Sequence, residues 1–192
     1  MRRSWLIATL VGLSDRYNPA ADASHPRRLS RRQRGREGED STMRIAVGSD
    51  HRGVKLRTQI VELLGKLGHE VVDVGSYDDQ SVDYPDIAAL VAGKVSAREV
   101  ERGILVCGTG LGMSIAANKF PGVRAAPCYD DLTAELSRRH NDLNVLCLSG
   151  DALGERLLDR LIEIWLKTEF EGGRHARRVQ KIAELEHRNG KP

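Results

Sequence analysis

This 192-residue sequence has few aromatic residues, few cysteines and no apolar stretch long enough to cross a membrane. Phe, Trp and Tyr together make up 4% of it, whereas Leu, Ile, Val and Ala are plentiful. This composition favours a helix-rich α/β core over a β-sandwich. The length allows one ordinary domain with a sizeable core, and two full domains would be cramped.

The sequence also lacks paired cysteines. Its three cysteines, Cys107, Cys128 and Cys147, are odd in number and contain no C-x-x-C spacing. Such usage fits a reducing compartment better than a disulfide framework, so we expect a cytoplasmic protein.

A charge excess is absent from most of the chain. The formal net charge is +3, but residues 1–42 contain nine of the 30 basic and five of the 27 acidic residues. The remainder therefore carries a net charge of −1. A nearly neutral domain of this kind does not predict a nucleic-acid-binding surface, and we expect neither nucleic acid nor membrane as a partner.

Residues 1–42 differ from the rest. Two arginines followed by the apolar stretch 5–13 have the appearance of a secretory signal, but the polar stretch 14–18 interrupts it and an arginine-rich tract follows. Met43 then opens a clean strand. We expect 1–42 to be a disordered or mis-started basic extension, and 43–192 to form a single domain.

From Met43 onward, short apolar runs alternate with segments of helical periodicity. Strands are predicted at 45–48, 70–74, 104–107, 123–128 and 145–148. Helices are predicted at 54–67, 84–97, from the loop after residue 107 to 118, at 130–139, about 152–169 and 175–188. Strands that are apolar throughout and separated by helices indicate a five-stranded, mainly parallel, Rossmann-like sheet in a three-layer α/β/α sandwich.

In such sheets, ligands bind at the carboxyl ends of the strands. The unusual residues of this sequence fall just after predicted strands. They are Ser49-Asp50-His51, Cys107 to Gly112, Tyr129-Asp130 and Ser149-Gly150-Asp151.

The glycine-rich loop after Cys107 leads from an apolar strand into a helix. Glycines at alternate positions let the backbone approach a ligand, and free N–H groups at a helix start favour an anion. A thiol at the same point is placed to react as a thiolate. Two other interpretations stay open: a tight turn with packing glycines, and a dinucleotide loop. The second lacks the full G-x-G-x-x-G spacing because Met113 occupies the last glycine position, although Asp130 lies at a suitable distance.

Five motifs of the sequence resemble those of the ribose-5-phosphate isomerase B family, which is similar to galactose- and allose-phosphate isomerases. The motifs are Gly48–Gly53, Asp83–Asp86, Cys107–Lys119, Arg139–Asp142 and Glu171–His175. The resemblance implies a pentose phosphate pathway enzyme that interconverts an aldose and a ketose phosphate through a cis-enediolate, with neither a metal nor an organic cofactor.

By the same resemblance, Cys107 is the base that moves a proton between C1 and C2, and Thr109 relays or positions it. Loop amides stabilise the enediolate oxygen. The loop residues concerned are Gly108, Thr109, Gly110, Leu111 and Gly112.

The resemblance assigns ring opening to His140 and substrate binding to Asn141. It makes Asp50 and His51 contacts of sugar hydroxyls or the ring oxygen, and Tyr84 a residue that lines the pocket. Read alone, each histidine is more often structural, and Asp50 fits a helix N-cap.

Arg174 and Arg178 match the family's phosphate-binding pair. Their i, i+4 spacing places both guanidinium groups on one helix face, although without the resemblance they would pass for a solvated face. The family commonly has another phosphate-contacting arginine where this sequence has Asp151. Either a different basic residue substitutes for it, or the substrate or its pose differs; Asp151 also fits a helix cap.

The resemblance thus implies the conversion of ribose 5-phosphate to ribulose 5-phosphate, in a homodimer or homotetramer with shared active sites. Isomerisation of allose, galactose or tetrose phosphate is the alternative within the same class. A dinucleotide-binding oxidoreductase and a non-catalytic sugar-phosphate sensor are alternatives from other classes.

Overall fold

The computed structural model describes residues 42–78, 80–151 and 155–188. The predicted basic extension, up to residue 41, lies outside the described residues. The start of the predicted helix at 152–154 lies outside them too.

The described chain contains five strands and six helices, which alternate as far as the fifth helix and are followed by the sixth. The strands are β1 (Arg44–Ser49), β2 (Glu70–Asp73), β3 (Arg102–Cys107), β4 (Ala125–Pro127) and β5 (Val145–Ser149). The helices are α1 (Val54–Lys66), α2 (Tyr84–Ser96), α3 (Leu111–Ala117), α4 (Asp131–Asn141), α5 (Glu155–Lys167) and α6 (Arg174–Arg188). Each predicted element is confirmed to within a few residues at its ends.

The strands form one sheet in the order β2-β1-β3-β5-β4, and every neighbouring pair is parallel. The central strands β3 and β5 are buried almost throughout, because helices cover both faces of the sheet. The predicted five-stranded parallel sheet in a three-layer sandwich is confirmed.

Successive residues of each strand point to opposite faces, and this alternation builds two hydrophobic cores. One face packs Ile104 and Leu146 against α1, α4 and α5, where Trp165 is fully buried. The other face packs Leu105 and Cys147 against α2 and α3. A fully buried Leu or Ile side chain stabilises the fold by about 1.5–3 kcal/mol, so the two cores hold the sheet rigidly between its helices.

Helix α4 has well-defined ends. The Asp130 carboxylate accepts a hydrogen bond from the Thr133 N–H at 2.7 Å, and Thr133 Oγ1 accepts one from the Asp130 N–H at 3.3 Å, which completes a capping box. At its other end Asp142 adopts a left-handed conformation with φ 47°. This turn ends the helix immediately after His140 and Asn141 and so fixes where those side chains lie.

Because all the strands are parallel, their carboxyl ends lie at one end of the sheet and their amino ends at the other. β1, β3 and β5 are adjacent and end in Ser49, Cys107 and Ser149, with Ser49 opposite Val106 and Cys107 opposite Ser149. The chain leaves β1 toward β2 on one side and returns from β2 to β3 on the other, so a topological switch point lies at these carboxyl ends. In the part of the chain that the structure describes, no helix is both long and apolar enough for a membrane span.

Candidate active site

Cys107 is the last residue of β3, and its side chain is 5% exposed. The Gly110 N–H donates a hydrogen bond to Cys107 Sγ at 3.1 Å, so the loop curls back over the thiol. Gly110 has φ +78°, and a Cβ at this position would lie 3.2 Å from the Leu148 carbonyl oxygen. A glycine is therefore required where the loop turns around the sulfur.

Thr109 is held through its hydroxyl and carbonyl groups. Its Oγ1 accepts a hydrogen bond from the Leu111 N–H at 3.3 Å, and its carbonyl accepts one from the Tyr129 hydroxyl at 3.0 Å. Two of the amides that sequence reasoning assigned to the enediolate, those of Gly110 and Leu111, thus already donate within the loop. A bound substrate has to compete with these contacts or use the other amides.

Tyr84, the first residue of α2, covers the same loop. A Cβ at Gly112 would come within 2.7 Å of the Tyr84 ring, so the ring lies directly against the Gly112 backbone. The Tyr84 residue remains 42% exposed. This position fits the predicted lining role.

Asp50 and His51 follow β1 beside the loop. Asp50 is 5% exposed, and its Oδ1 accepts a hydrogen bond from the Arg52 N–H at 2.9 Å. The alternative that Asp50 caps α1 is wrong, because Gly53 occupies the N-cap position and no side chain caps that helix. His51 Nδ1 accepts a hydrogen bond from the Val82 N–H at 3.4 Å. In the neutral ring this contact assigns the proton to Nε2, which can then donate to a sugar oxygen.

Arg52 and Asp151 form an ion pair of 2.5 Å across the loop. Both lie next to Gly108, where a Cβ would be 3.1 Å from Asp151 Oδ2. We call the residues at this end of the sheet the carboxyl-end cluster. Its members are Asp50, His51, Arg52, Tyr84, Cys107 to Gly112 and Asp151.

His140 and Asn141 lie at the opposite end of the sheet, near the amino ends of the strands. α4 starts after the carboxyl end of β4 and runs back to the amino end of β5. Arg124, the residue before β4, donates from its Nε to the Asn141 carbonyl at 3.1 Å. A six-residue strand such as β3 is about 17 Å long. Within one chain, His140 and Cys107 are therefore separated by roughly the length of the sheet.

A second histidine, His175, packs against His140, and the sequence alone gave it no role. The rings of His140 and His175 are stacked, with centroids 4.1 Å apart and planes at 3°. His175 is 4% exposed, and its Nε2 accepts a hydrogen bond from Arg174 Nε at 3.2 Å. Burial, followed by the nearby His140 and Arg174, lowers the pKa of His175. Its place in the Glu171–His175 motif was the available signal.

Arg174 and Arg178 occupy the first turns of α6, both exposed, as their predicted shared face requires. Glu171 Oε2 lies 3.8 Å from His140 Nε2 and 3.2 Å from an Arg139 nitrogen. We call this group the amino-end cluster. Its members are His140, Asn141, Glu171, Arg174, His175 and Arg178.

Among the described residues, this cluster also contains three side chains that could together hold a metal ion. Ligand atoms of His140, Glu171 and His175 all lie within 4.8 Å of one another. The Arg174 N–H points at His175 Nε2, however, and Arg178 adds a second positive charge nearby. These cations suit an anion better than a metal.

The two clusters carry opposite charge. Among the described residues of the loops that follow β1 to β5, Arg52 is the only Lys or Arg. The acidic residues of those loops are Asp50, Asp78, Asp83, Asp130 and Asp151. The amino-end cluster, by contrast, presents Arg174 and Arg178 and adjoins Arg139.

The chain is similar in sequence and in fold to known sugar-phosphate isomerases. A protein-family model described as Ribose/Galactose Isomerase matches residues 45–182. Ribose-5-phosphate isomerase B of Escherichia coli is 46% identical over 145 residues, covering 76% of this chain and 97% of the relative. The same enzyme of Clostridium thermocellum matches in structure with a TM-score of 0.76 at 50% identity, covering 77% of this chain and all of that one. That of Mycoplasma genitalium, solved with bound ribulose-5-phosphate, matches with a TM-score of 0.73 at 44% identity, covering 75% and 96%.

Proposed function

This chain belongs to the ribose/galactose isomerase family and is an aldose–ketose isomerase, and we propose that it converts ribose 5-phosphate to ribulose 5-phosphate with Cys107 as the base. The observation that carries the proposal is the Cys107 thiol at the end of β3, enclosed by the glycine loop and hydrogen-bonded to the Gly110 amide. The bound ribulose-5-phosphate of the Mycoplasma genitalium relative supports the choice of sugar.

The proton transfer follows from this position. The Cys107 thiolate takes the proton from C2 of the open-chain aldose, and the C–H electron pair becomes the C1–C2 double bond of the enediolate. The negative charge that develops on the C1 oxygen is stabilised by loop N–H groups, which act strongly because they are fixed before the reaction. A proton passes from the C2 hydroxyl group to the C1 oxygen of the enediolate. The Cys107 thiol then returns the first proton to C1, which leaves a carbonyl at C2 and gives the ketose.

The remaining members of the carboxyl-end cluster orient the sugar. His51 donates from Nε2 to a sugar oxygen, and the buried Asp50 carboxylate accepts from a hydroxyl group. Tyr84 covers the loop and limits the access of water to the enediolate. Thr109, fixed through its hydroxyl and carbonyl groups, positions the loop beside Cys107.

The active site is shared between two copies of the chain. His140 lies near the amino ends of the strands and Cys107 at the carboxyl ends, so one copy cannot bring both side chains to the same sugar. The acidic carboxyl-end loops and the arginine-rich amino-end cluster are complementary in charge, which favours placing one against the other. A homodimer is the smallest assembly that satisfies this requirement, and a homotetramer built from such dimers satisfies it too.

In the shared site, the phosphate binds Arg174 and Arg178 of the partner subunit. Their guanidinium groups lie one helical turn apart, which suits a single dianion. His140 of the partner subunit assists ring opening, and Asn141 of the partner subunit binds the sugar. The open-chain sugar then reaches Cys107.

The domain organisation and the compartment belong to the same proposal. Residues 43–192 act as one catalytic domain, which is supported by the family match over 45–182. A cytoplasmic location is supported by three cysteines that are all free and buried.

A substrate panel tests the function. Purified protein is assayed with ribose 5-phosphate and with allose, galactose and tetrose phosphates, and we expect the highest kcat/KM on ribose 5-phosphate. Preference for a six-carbon or four-carbon sugar would select the alternative that Asp151 left open. Absence of turnover on every sugar, together with binding of one of them, would indicate a sensor instead.

A further inference from the structure

The Arg52–Asp151 ion pair belongs to the carboxyl-end cluster but takes no part in the proton transfer proposed above. Arg52 Nη2 and Asp151 Oδ2 are 2.5 Å apart, and the two side chains are 57% and 45% exposed. They are 99 positions apart in sequence, so the pair joins the loop after β1 to the loop after β5. Both loops flank the Cys107 loop.

The pair lies against the backbone of that loop. A Cβ on Gly108 would be 3.1 Å from Asp151 Oδ2 and 3.2 Å from Arg52 Nε, so a side chain at this position would push the pair away. Gly108 directly follows Cys107. The guanidinium group of Arg52 therefore lies beside the residue that follows Cys107.

The backbone of Arg52 is held in place as well. Its N–H donates to Asp50 Oδ1 at 2.9 Å, and the next N–H, that of Gly53, donates to the Asp50 carbonyl at 3.1 Å. The contact with Asp151 uses one terminal nitrogen of a group that carries five N–H donors. Arg52 is thus oriented at both ends and keeps donors for a ligand.

Charge makes this position unusual. Among the described residues of the loops at the carboxyl ends of the strands, Arg52 is the only Lys or Arg, and several aspartates surround it in those loops. A phosphate dianion brought near Cys107 would be repelled by those carboxylates unless a cation stood between them. An ion pair this exposed contributes little to folding stability, so stability alone gives no reason for it.

We propose that Arg52 binds the phosphate group of the sugar phosphate from the Cys107 side, facing Arg174 and Arg178 of the partner subunit, while Asp151 holds its guanidinium against Gly108. This inference rests on the proposed function and adds one residue to it. Arg52 then supplies the positive charge that the acidic residue at 151 cannot.

The test compares Arg52→Ala and Arg52→Lys with the wild-type protein. Arg44→Ala is the matched control, because Arg44 forms a similarly exposed ion pair of 2.8 Å with Glu70 and lies at the start of β1, away from Cys107. Two kinds of measurement are made: steady-state kinetics gives KM and kcat for ribose 5-phosphate, and calorimetry gives the Kd of inorganic phosphate. The exposed position predicts melting temperatures within about 3 °C of the wild type.

We expect Arg52→Ala to raise both KM and the phosphate Kd about tenfold or more, as for loss of a charge-assisted hydrogen bond, with kcat changed less than about threefold. Arg52→Lys keeps the charge but loses the planar fork, so its increases should be smaller. Arg44→Ala should leave both quantities unchanged.

Two results would overturn the inference: an unchanged phosphate Kd with a raised KM, which would place Arg52 on the sugar, and no change in either quantity. A wild-type protein without turnover on ribose 5-phosphate would contradict the proposed function instead. The phosphate Kd would still decide the role of Arg52 in that case, because it requires no turnover.

Discussion

The carboxyl-end and amino-end clusters differ in the chemical groups that they offer a ligand. At the carboxyl ends of β1, β3 and β5, the backbone dominates: a glycine loop wraps a nearly buried thiol, and the surrounding loops are acidic. At the amino-end cluster, side chains on α4 and α6 dominate, with two exposed arginines beside a stacked pair of imidazoles. One cluster has the proposed base and the loop amides, and the other has two of the three arginines that the two clusters contain.

In the proposed mechanism, neither cluster alone is a complete site for a sugar phosphate. The carboxyl-end cluster has the proposed base but one cation, Arg52, for a dianion. The amino-end cluster has the two arginines that are proposed to bind the phosphate, but it contains no thiol. The division predicts that substitutions of Cys107 and its glycine loop mainly change kcat, and that substitutions of Arg52, Arg174 and Arg178 mainly change KM.

The largest effect is expected from Cys107→Ala. Removal of the base should lower kcat for ribose 5-phosphate by about 10³-fold, with KM changed little, because general base catalysis contributes about 10²–10⁴-fold. Steady-state kinetics on the purified variant measures both constants.

Cys128→Ala is the matched control for that variant. Cys128 is buried, and burial raises the pKa of its thiol, so it should be inert and its loss should leave kcat near the wild-type value. Near-wild-type kcat in the Cys107 variant would remove the thiol from the mechanism and erase the distinction between the clusters.

A smaller effect, on KM instead of kcat, is expected from Arg174→Ala and Arg178→Ala. Each loses a charge-assisted contact with the phosphate, so KM should rise about 10- to 100-fold while kcat falls less. Arg160→Ala is the control: it removes an exposed helical arginine whose recorded ion-pair partner is Asp131 at 2.7 Å. A loss of kcat at unchanged KM in the Arg174 and Arg178 variants would contradict the assignment of phosphate binding to the amino end.

The smallest effect concerns pH. Burial above all lowers the pKa of His175 in the folded chain, whereas the unfolded chain has the ordinary value of about 6.5. Below that pH the unfolded chain binds a proton that the folded chain resists, so the free energy of unfolding should fall as the pH drops through about 6.5 toward the lowered value. Above it, His175 contributes no pH dependence.

Urea unfolding of the wild type and of His175→Gln at about pH 7.5 and about pH 5.5 measures this difference. The variant should lose less stability between the two conditions, since it lacks the titrating ring. The control is His187→Gln, at an exposed position near the end of α6. Equal losses in His175→Gln and in the wild type would show that the stacked imidazoles are not the pH-sensitive part.

The fold was largely predictable because its local signals agree with one another. The apolar runs around Ile104 and Leu146 are too short for helices and are bounded by glycine and polar residues, which is typical of buried parallel strands. The position of Cys107 at a strand end followed from the same pattern. Even the left-handed turn at Gly110 is indicated by a loop with glycines at alternate positions.

Contacts between distant segments were not predictable from one sequence. The stacking of His140 on His175 depends on how α4 packs against α6, and the Arg52–Asp151 pair joins loops 99 residues apart. The two amides that donate within the Cys107 loop depend on its detailed path. The separation of His140 from Cys107, in contrast, is contained in the order β4-α4-β5 of a parallel sheet.

The central claim, that each active site combines the carboxyl-end cluster of one chain with the amino-end cluster of another, is tested most directly by mixing two inactive variants. Cys107→Ala and His140→Ala are mixed in equal amounts under conditions that exchange subunits, and turnover of ribose 5-phosphate is measured. Random exchange leaves about a quarter of the sites with both an intact Cys107 and an intact His140, so we expect recovery to about one quarter of wild-type activity. A mixture that exchanges subunits and still stays as inactive as its parents would contradict the claim.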